Sequence, residues 1–263
     1  MKTKKGFTLI ELLVVIAIIA LLLSVLMPAL SKAKTIAEEV LCKSNMHQYY
    51  LATELYANDY SDKFPPAWHS FYKDTSTGCR WHDERYSLES NPDLAGPYWP
   101  YLADKNVNIC PTFKKFARKL GQNHPGHNNS IPIEVQFSYS MNGFITGRDR
   151  EGIKRSQIKS PPSETFLWSE ESMWKMREAN GGPILSNYVL NDNSLLIGTA
   201  SSPIDSFGCF HKVSSKQFSA QLPTNRNGYG EYNTGSVNAV MLDGSNIIVT
   251  PQDSPRYRGR SSR

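Results

Sequence analysis

Signatures of catalysis are scarce in this chain. It has no Gly-x-Ser-x-Gly elbow, no P-loop, no His-Glu-x-x-His pair and no dinucleotide fingerprint. The glycine cluster Gly228-Tyr-Gly230 lacks the strand-then-helix setting of a phosphate cradle. No enzymatic role is therefore expected. A large excess of one charge is missing too, since 29 basic residues face 24 acidic ones. Lys2, Lys4 and Lys5 precede the first apolar run, and Arg256, Arg258, Arg260 and Arg263 lie at the extreme C-terminus. Elsewhere bases and acids are interleaved, so no nucleic-acid partner is expected. No internal repeat or low-complexity block is present. Cysteine is limited to Cys42, Cys79, Cys110 and Cys209, too widely spaced for a zinc-knuckle pattern.

What the chain does have is one long apolar run. Phe7 to Leu30 reads FTLIELLVVIAIIALLLSVLMPAL, 24 residues. As a helix it is about 36 Å long at 1.5 Å per residue, enough for a hydrocarbon core of about 30 Å. Apolar side chains surround it on all sides, so lipid or other helices must cover it. It exceeds the usual core of a secretory signal, and no Ala-x-Ala site precedes a polar mature start. The short basic stretch before it predicts a cytoplasmic N-terminus and a translocated remainder. An ordinary single-span anchor would explain all of this except Glu11, one carboxylate inside an otherwise uncharged span. An acid there is costly unless neutralised, and it marks a function that needs a partner.

Lys4-Lys5-Gly6 followed by Phe7-Thr-Leu-Ile-Glu11-Leu-Leu resembles the cleavage and methylation motif of type IV prepilins and type II secretion pseudopilins. The resemblance implies cleavage after Gly6 by a membrane prepilin peptidase and N-methylation of the new N-terminus, Phe7. Glu11 becomes the fifth mature residue, where the family keeps its acid. Pro28 becomes the twenty-second, where many members keep a helix-kinking proline. The chemistry is coherent in itself. The Phe7 amine of one subunit and the Glu11 carboxylate of a neighbour neutralise each other inside an apolar helical bundle. A thinner resemblance runs along the rest of the chain, through Cys42-Lys-Ser-Asn45, Tyr56-Ala-Asn-Asp59, Cys110-Pro111, Ser138-Tyr-Ser-Met-Asn142 and Asp243-Gly244. These are similar to a large pseudopilin-like family with a His ten residues before a late Asp-Gly. Here that position is Asn233, a departure that removes any role of the family's His.

After Pro28 a 3–4 spacing of apolar residues, including Leu41, Met46, Tyr49, Leu51, Ala52, Leu55 and Tyr56, extends the helix to about Asn58. Phe64-Pro65-Pro66 stops it. Residues 67–165 are rich in turn formers, with a short helix near Cys110-Pro111. Ile133–Tyr139, Thr165–Ser169, Tyr188–Leu190 and Val237–Leu242/Ser245–Thr250 read as strands, the last two joined through a two-residue Asp243-Gly244 turn. The expected fold class is α+β, a long N-terminal helix packed against an antiparallel β-sheet head. The organisation is a leader (1–6), a membrane and assembly helix (7–30), a globular domain (31–255) and a basic tail (256–263).

Four cysteines in an exported domain permit two disulfides and three connectivities. Cys42 near the emergence of the helix and Cys110 before a proline suggest Cys42–Cys110, leaving Cys79–Cys209. No cofactor and no metal is expected. Zinc at Cys79/His82 and His124/His127 competes with disulfide chemistry. Calcium at Asp192, Asp205 and Asp243 lacks the dense ligand spacing of a dedicated loop. Trp68, Trp81, Trp99, Trp168 and Trp174 suit either a glycan-binding face or a core.

The expected role is that of a structural subunit in a type II secretion-type filament for protein export. Its partners are itself, other pilin-like subunits, the prepilin peptidase, inner-membrane assembly machinery and membrane lipid. The expected location is the inner membrane, with the head periplasmic or extracellular. The rivals are a surface type IV pilus subunit for adhesion or DNA uptake, and a tethered glycan-binding or enzymatic domain using the same export route.

Overall fold

The computed structural model describes residues 6–73, 80–102, 104–121, 131–146, 152–178, 190, 194–197, 205–222, 229–232 and 234–253. Helices are α1 (Leu9–Asp59), α2 (Pro111–Leu120), α3 (Gly143–Thr146) and α4 (Ser215–Ala220). Strands are β1 (Tyr139–Asn142), β2 (Phe166–Glu170), β3 (Met176–Glu178), β4 (Ser194–Leu195), β5 (Gly230–Tyr232), β6 (Val237–Met241) and β7 (Asn246–Val249). The chain divides into two compact units, Met1–Val40 and Leu41–Arg263.

In the first unit α1 is exposed on every side, with Leu9, Ile10, Val25 and Leu30 all more than 60% accessible. That is the pattern of a helix whose solvent is lipid or other helices. In the second unit the same helix buries Cys42, Asn45, Met46, Tyr49, Ala52, Thr53, Tyr56 and Ala57. Their 3–4 spacing lines one face, and the five-stranded sheet packs on it through Tyr139, Met141, Leu167, Trp168, Val240 and Leu242. The expected amphipathic face is only partly the buried one, because Leu41, Leu51 and Leu55 point outward and are about half exposed. The helix therefore carries apolar residues on an open side as well. Two successive left-handed residues, Ser61 (φ 57°) and Asp62 (φ 63°), end it, with Asp62 N–H donating to Ala57 O at 2.8 Å.

The sheet order is β4-β1-β2-β6-β7. All pairs are antiparallel except β1–β4, so the sheet is mixed where an antiparallel one was expected. The two-residue edge strand β4 carries too little sequence to show its direction. A second small sheet pairs β3 with β5 in parallel. Both faces of the central strands β1, β2 and β6 are covered, while the edge strand β7 leaves Asn246 and Ile248 exposed. In β6, Val237, Ala239 and Met241 face a second apolar cluster with Phe166 and Phe207, while Val240 and Leu242 face α1. A register shift between Phe166 and Trp168 places Leu167 and Trp168 together on the α1 side. The alternating segment 132–138 forms no strand. Its N–H groups donate instead to loop carbonyls, Glu134 to His82 and Gln136 to Trp81, so an extended run found loop partners rather than a sheet. The expected strand 188–190 lies outside the described residues except for Leu190, which is buried.

Helix and sheet are joined by a buried polar chain inside an aromatic cluster. Trp168 Nε1 donates to Thr53 Oγ1 at 2.9 Å, and Thr53 Oγ1 lies 2.8 Å from the Tyr98 hydroxyl. Tyr98 OH donates to the Tyr49 carbonyl, and Tyr49 OH to Asn108 Oδ1. Tyr49 and Trp168 meet edge to face at 4.7 Å. Thr53→Val keeps the shape but strips Trp168 of its acceptor. The expected cost is about 1–3 kcal/mol, that of one buried donor left without a partner, read by chemical denaturation of the detergent-solubilised chain.

The β6–β7 connection is a three-residue loop rather than the expected two-residue turn. Gly244 N–H donates to Met241 O at 3.0 Å, Met241 N–H to Ser245 O at 2.8 Å, and only Gly244 takes positive φ, +84°. This is a type I turn closed by a glycine bulge. Asp243 Oδ1 accepts from both Ser245 N–H and its hydroxyl, which holds the carboxyl below its ordinary pKa. A Cβ on Gly244 would lie 2.8 Å from the Tyr50 ring of α1. Gly244→Ala combines that clash with an unfavourable φ and is expected to cost more than about 1 kcal/mol, seen as a lowered Tm.

Candidate processing and assembly site

The N-terminal unit shows what surrounds Glu11. Gly6 and Phe7 are exposed and precede the helix, which begins at Leu9. Thr8 and Glu11 form a reciprocal capping box. The Glu11 carboxylate accepts from Thr8 N–H and from the Thr8 hydroxyl, each at 2.8 Å, and Glu11 N–H donates back to Thr8 Oγ1 at 3.2 Å. Leu12 N–H completes the first turn onto Thr8 O at 3.2 Å. The Thr-x-x-Glu pattern ahead of an apolar run was readable in the sequence. Attention to Glu11 as an intramembrane acid concealed its second role as a helix start. Within one chain the carboxylate thus has a local partner. Pro28 lies inside α1, which continues through it; lacking an N–H, it leaves the carbonyl four residues back without its helical donor.

In the second unit Cys42 on α1 and Cys110 at the N-cap of α2 are bridged, with Cα atoms 5.3 Å apart. Cys110 Sγ also accepts from Phe113 N–H at 3.5 Å. Cys209 is buried and carries no bridge; its expected partner, Cys79, lies outside the described residues. Burial pushes the Cys209 thiol well up, and the Glu170 carboxylate adds to this, so it remains protonated at neutral pH. Two residues that sequence reasoning missed stand beside the bridge. Glu170, at the end of β2, and His211, bridged to Ser236, are both buried, with His211 Nε2 3.1 and 3.3 Å from the Glu170 oxygens. Nothing in their spacing of 41 residues signals this meeting; only the sheet topology produces it.

Those of the other candidate ligands that lie among the described residues are not gathered. Among the described residues, the single cluster of metal-type ligands contains neither Asp205 nor Asp243. Asp205 accepts from Leu196 N–H at 2.8 Å, and Asp243 serves its turn. His82 is buried against the Trp81 ring, while His124, His127, Asp192, Asn233 and the basic tail 256–263 lie outside the described residues. Trp81, Trp168 and Trp174 are fully buried and pack the core. Trp68 and Trp99 are partly buried against it.

A long helix, apolar and open in its first half and sheet-bearing in its second, is the α+β architecture of a pilin-like protein. Residues 1–27 match the family described as the prokaryotic N-terminal methylation motif, a likeness confined to the start of the chain that supports a prepilin- or pseudopilin-type protein. No curated protein and no solved structure matches it. With this motif, the apolar part of α1 fits a single-pass membrane anchor, and the motif points in general terms to processing by a prepilin peptidase and to pilin-like subunits.

Proposed function

We propose that the chain is a pseudopilin-like subunit, cleaved after Gly6, which polymerises through α1 into a type II secretion-type filament that serves protein export. The observation that carries the reading is the methylation motif set on a helix whose apolar residues are open on every side, with a single carboxylate near its start. Such a helix gains stability by exchanging lipid for the helices of other subunits. Exposed Leu41, Leu51 and Leu55 extend the apolar surface available to them. The secretion role is favoured over a surface pilus by the likeness of Cys42–Asn45, Cys110-Pro111 and Asp243-Gly244 to pseudopilin-like proteins. The basic residues before Phe7 support a cytoplasmic N-terminus and an exported head. The role is structural, without catalysis, and needs neither calcium nor a cofactor for assembly.

The test is deletion of the chain in its host, with secreted proteins compared by mass spectrometry and cells labelled by immunogold. Loss of released proteins with label confined to the cell envelope is the expected result. Long labelled surface filaments together with an unchanged set of secreted proteins would assign the chain to a pilus.

A further inference from the structure

We propose that Cys42, Cys110, Glu170 and His211, in the dithiol state of the two cysteines, form a four-ligand site for a divalent cation of the zinc type. One donor atom from each lies within 4.8 Å of all the others, and all four residues are buried. His211 Nε2 is 3.6 Å from Cys110 Sγ and 3.1 Å from Glu170 Oε2. Ligand-to-ligand edges of a tetrahedron about zinc run from about 3.3 Å between nitrogen and oxygen to about 3.8 Å between sulfurs, given zinc distances of about 2.0–2.3 Å. The two separations from His211, to Cys110 and to Glu170, thus already stand near those of a tetrahedral cation, while the bridged sulfurs of Cys42 and Cys110 must part to about 3.8 Å once reduced.

Electrostatics favours the same conclusion. Glu170 is fully buried, and among the described residues the basic side chain bonded to it is an imidazole. An ionised carboxylate in such a place needs strong compensation, which a dication held by two thiolates, one carboxylate and a neutral imidazole supplies. Cys110 stands at the N-cap of the ten-residue helix α2, where its sulfur already accepts from the Phe113 N–H. Two sulfurs, one nitrogen and one oxygen select zinc-like ions over calcium or magnesium. The donors come from α1, the start of α2, the end of β2 and the segment paired with Ser236, so the cation would join four parts of the head.

Bridge and cation exclude each other, because the bridged sulfurs are no longer thiolate donors. An external dithiol converts one to the other: two electrons and two protons turn the bridge into two thiols while the reductant becomes a disulfide. Cation binding then releases both thiol protons to solvent.

The test uses the full chain in detergent, reduced with a dithiol, stripped of metal and titrated anaerobically with Co²⁺. The expected result is saturation at one equivalent, with tetrahedral visible bands and thiolate-to-cobalt charge transfer that Zn²⁺ abolishes. Peptide mapping after maleimide treatment should show Cys42 and Cys110 protected by Zn²⁺ and exposed by a chelator. Glu170→Gln and His211→Ala should each weaken cobalt binding by at least tenfold, since the loss of a mere outer partner costs about 10–100-fold. Circular dichroism and trypsin resistance check the fold. Should either variant fail to fold, the spectrum and the mapping on the unaltered chain decide. A reduced, folded chain without charge transfer, or an unchanged spectrum in Cys42→Ser/Cys110→Ser, would overturn the site.

Discussion

Glu11→Leu should leave the chain cleaved, inserted and folded, yet lower its yield in sheared or crosslinked filaments by about a hundredfold or more. The size follows from removing one member of a buried charge pair, which strands the other at a cost of about 3–5 kcal/mol. In the proposed filament the stranded group would be the Phe7 amine of the neighbouring subunit. Insertion itself should not suffer, because the leucine removes an intramembrane acid whose penalty is about 2.5–3.5 kcal/mol. The capping box complicates a single substitution, since leucine also removes the acceptor of Thr8 N–H and its hydroxyl. Glu11→Gln separates the two roles. Its amide oxygen can still cap Thr8, as Ser/Thr-x-x-Gln boxes do, but it carries no charge. If pairing with the amine drives assembly, Glu11→Gln should fail nearly as badly as Glu11→Leu. If helix capping is what matters, it should assemble normally. Glu11→Asp keeps the charge with a shorter reach and should fall between. Membrane abundance of each variant, measured beside filament yield, shows where the loss occurs.

How far the sequence could be read depended on whether a contact is local. The long helix, its stop near Asp59 and the β6–β7 hairpin rest on periodicity and on breakers within a few residues, and all were visible. The buried face of α1 was only half visible. Leu41, Leu51 and Leu55 are as apolar as Met46 and Tyr49, and nothing short of the sheet's position says which side is covered. The turn at Gly244 was placed correctly but mistyped, since Asp-Gly suits both a two-residue turn and a glycine bulge. Residues 133–138 show alternation meeting a loop partner, where a period of two says extended but not paired. The Glu170–His211 meeting is wholly a product of topology, as is the parallel edge strand β4. In the N-terminal unit the methylation motif was legible because it is written in consecutive residues, whereas the equally local capping box of Thr8 and Glu11 was passed over.

Gly6→Leu should abolish cleavage and, through it, assembly. Gly6 is exposed, ahead of the helix, and a Cβ placed on it meets nothing within 4 Å. The substitution therefore disturbs no contact among the described residues, and the fold, the capping box and insertion should be unchanged. Any effect must arise where the peptidase brings its catalytic groups to the Gly6–Phe7 bond, and there a branched side chain opposes the close backbone approach that glycine permits. The uncut chain keeps Lys2, Lys4 and Lys5 and lacks the Phe7 amine. Glu11 of a neighbour would then find no cation at that depth, so the variant should reproduce the assembly defect of Glu11→Leu with Glu11 intact. Gly6→Ala, adding a single methyl, should be cut slowly and assemble in proportion. Intact-mass spectrometry of the membrane fraction reads the outcome directly. The unaltered chain should begin at methylated Phe7, and the Gly6→Leu chain should keep its basic leader. A Gly6→Leu chain that still begins at methylated Phe7 would show that glycine is not what the peptidase reads. One that stays uncut yet fills filaments would show that the Phe7 amine is not Glu11's partner.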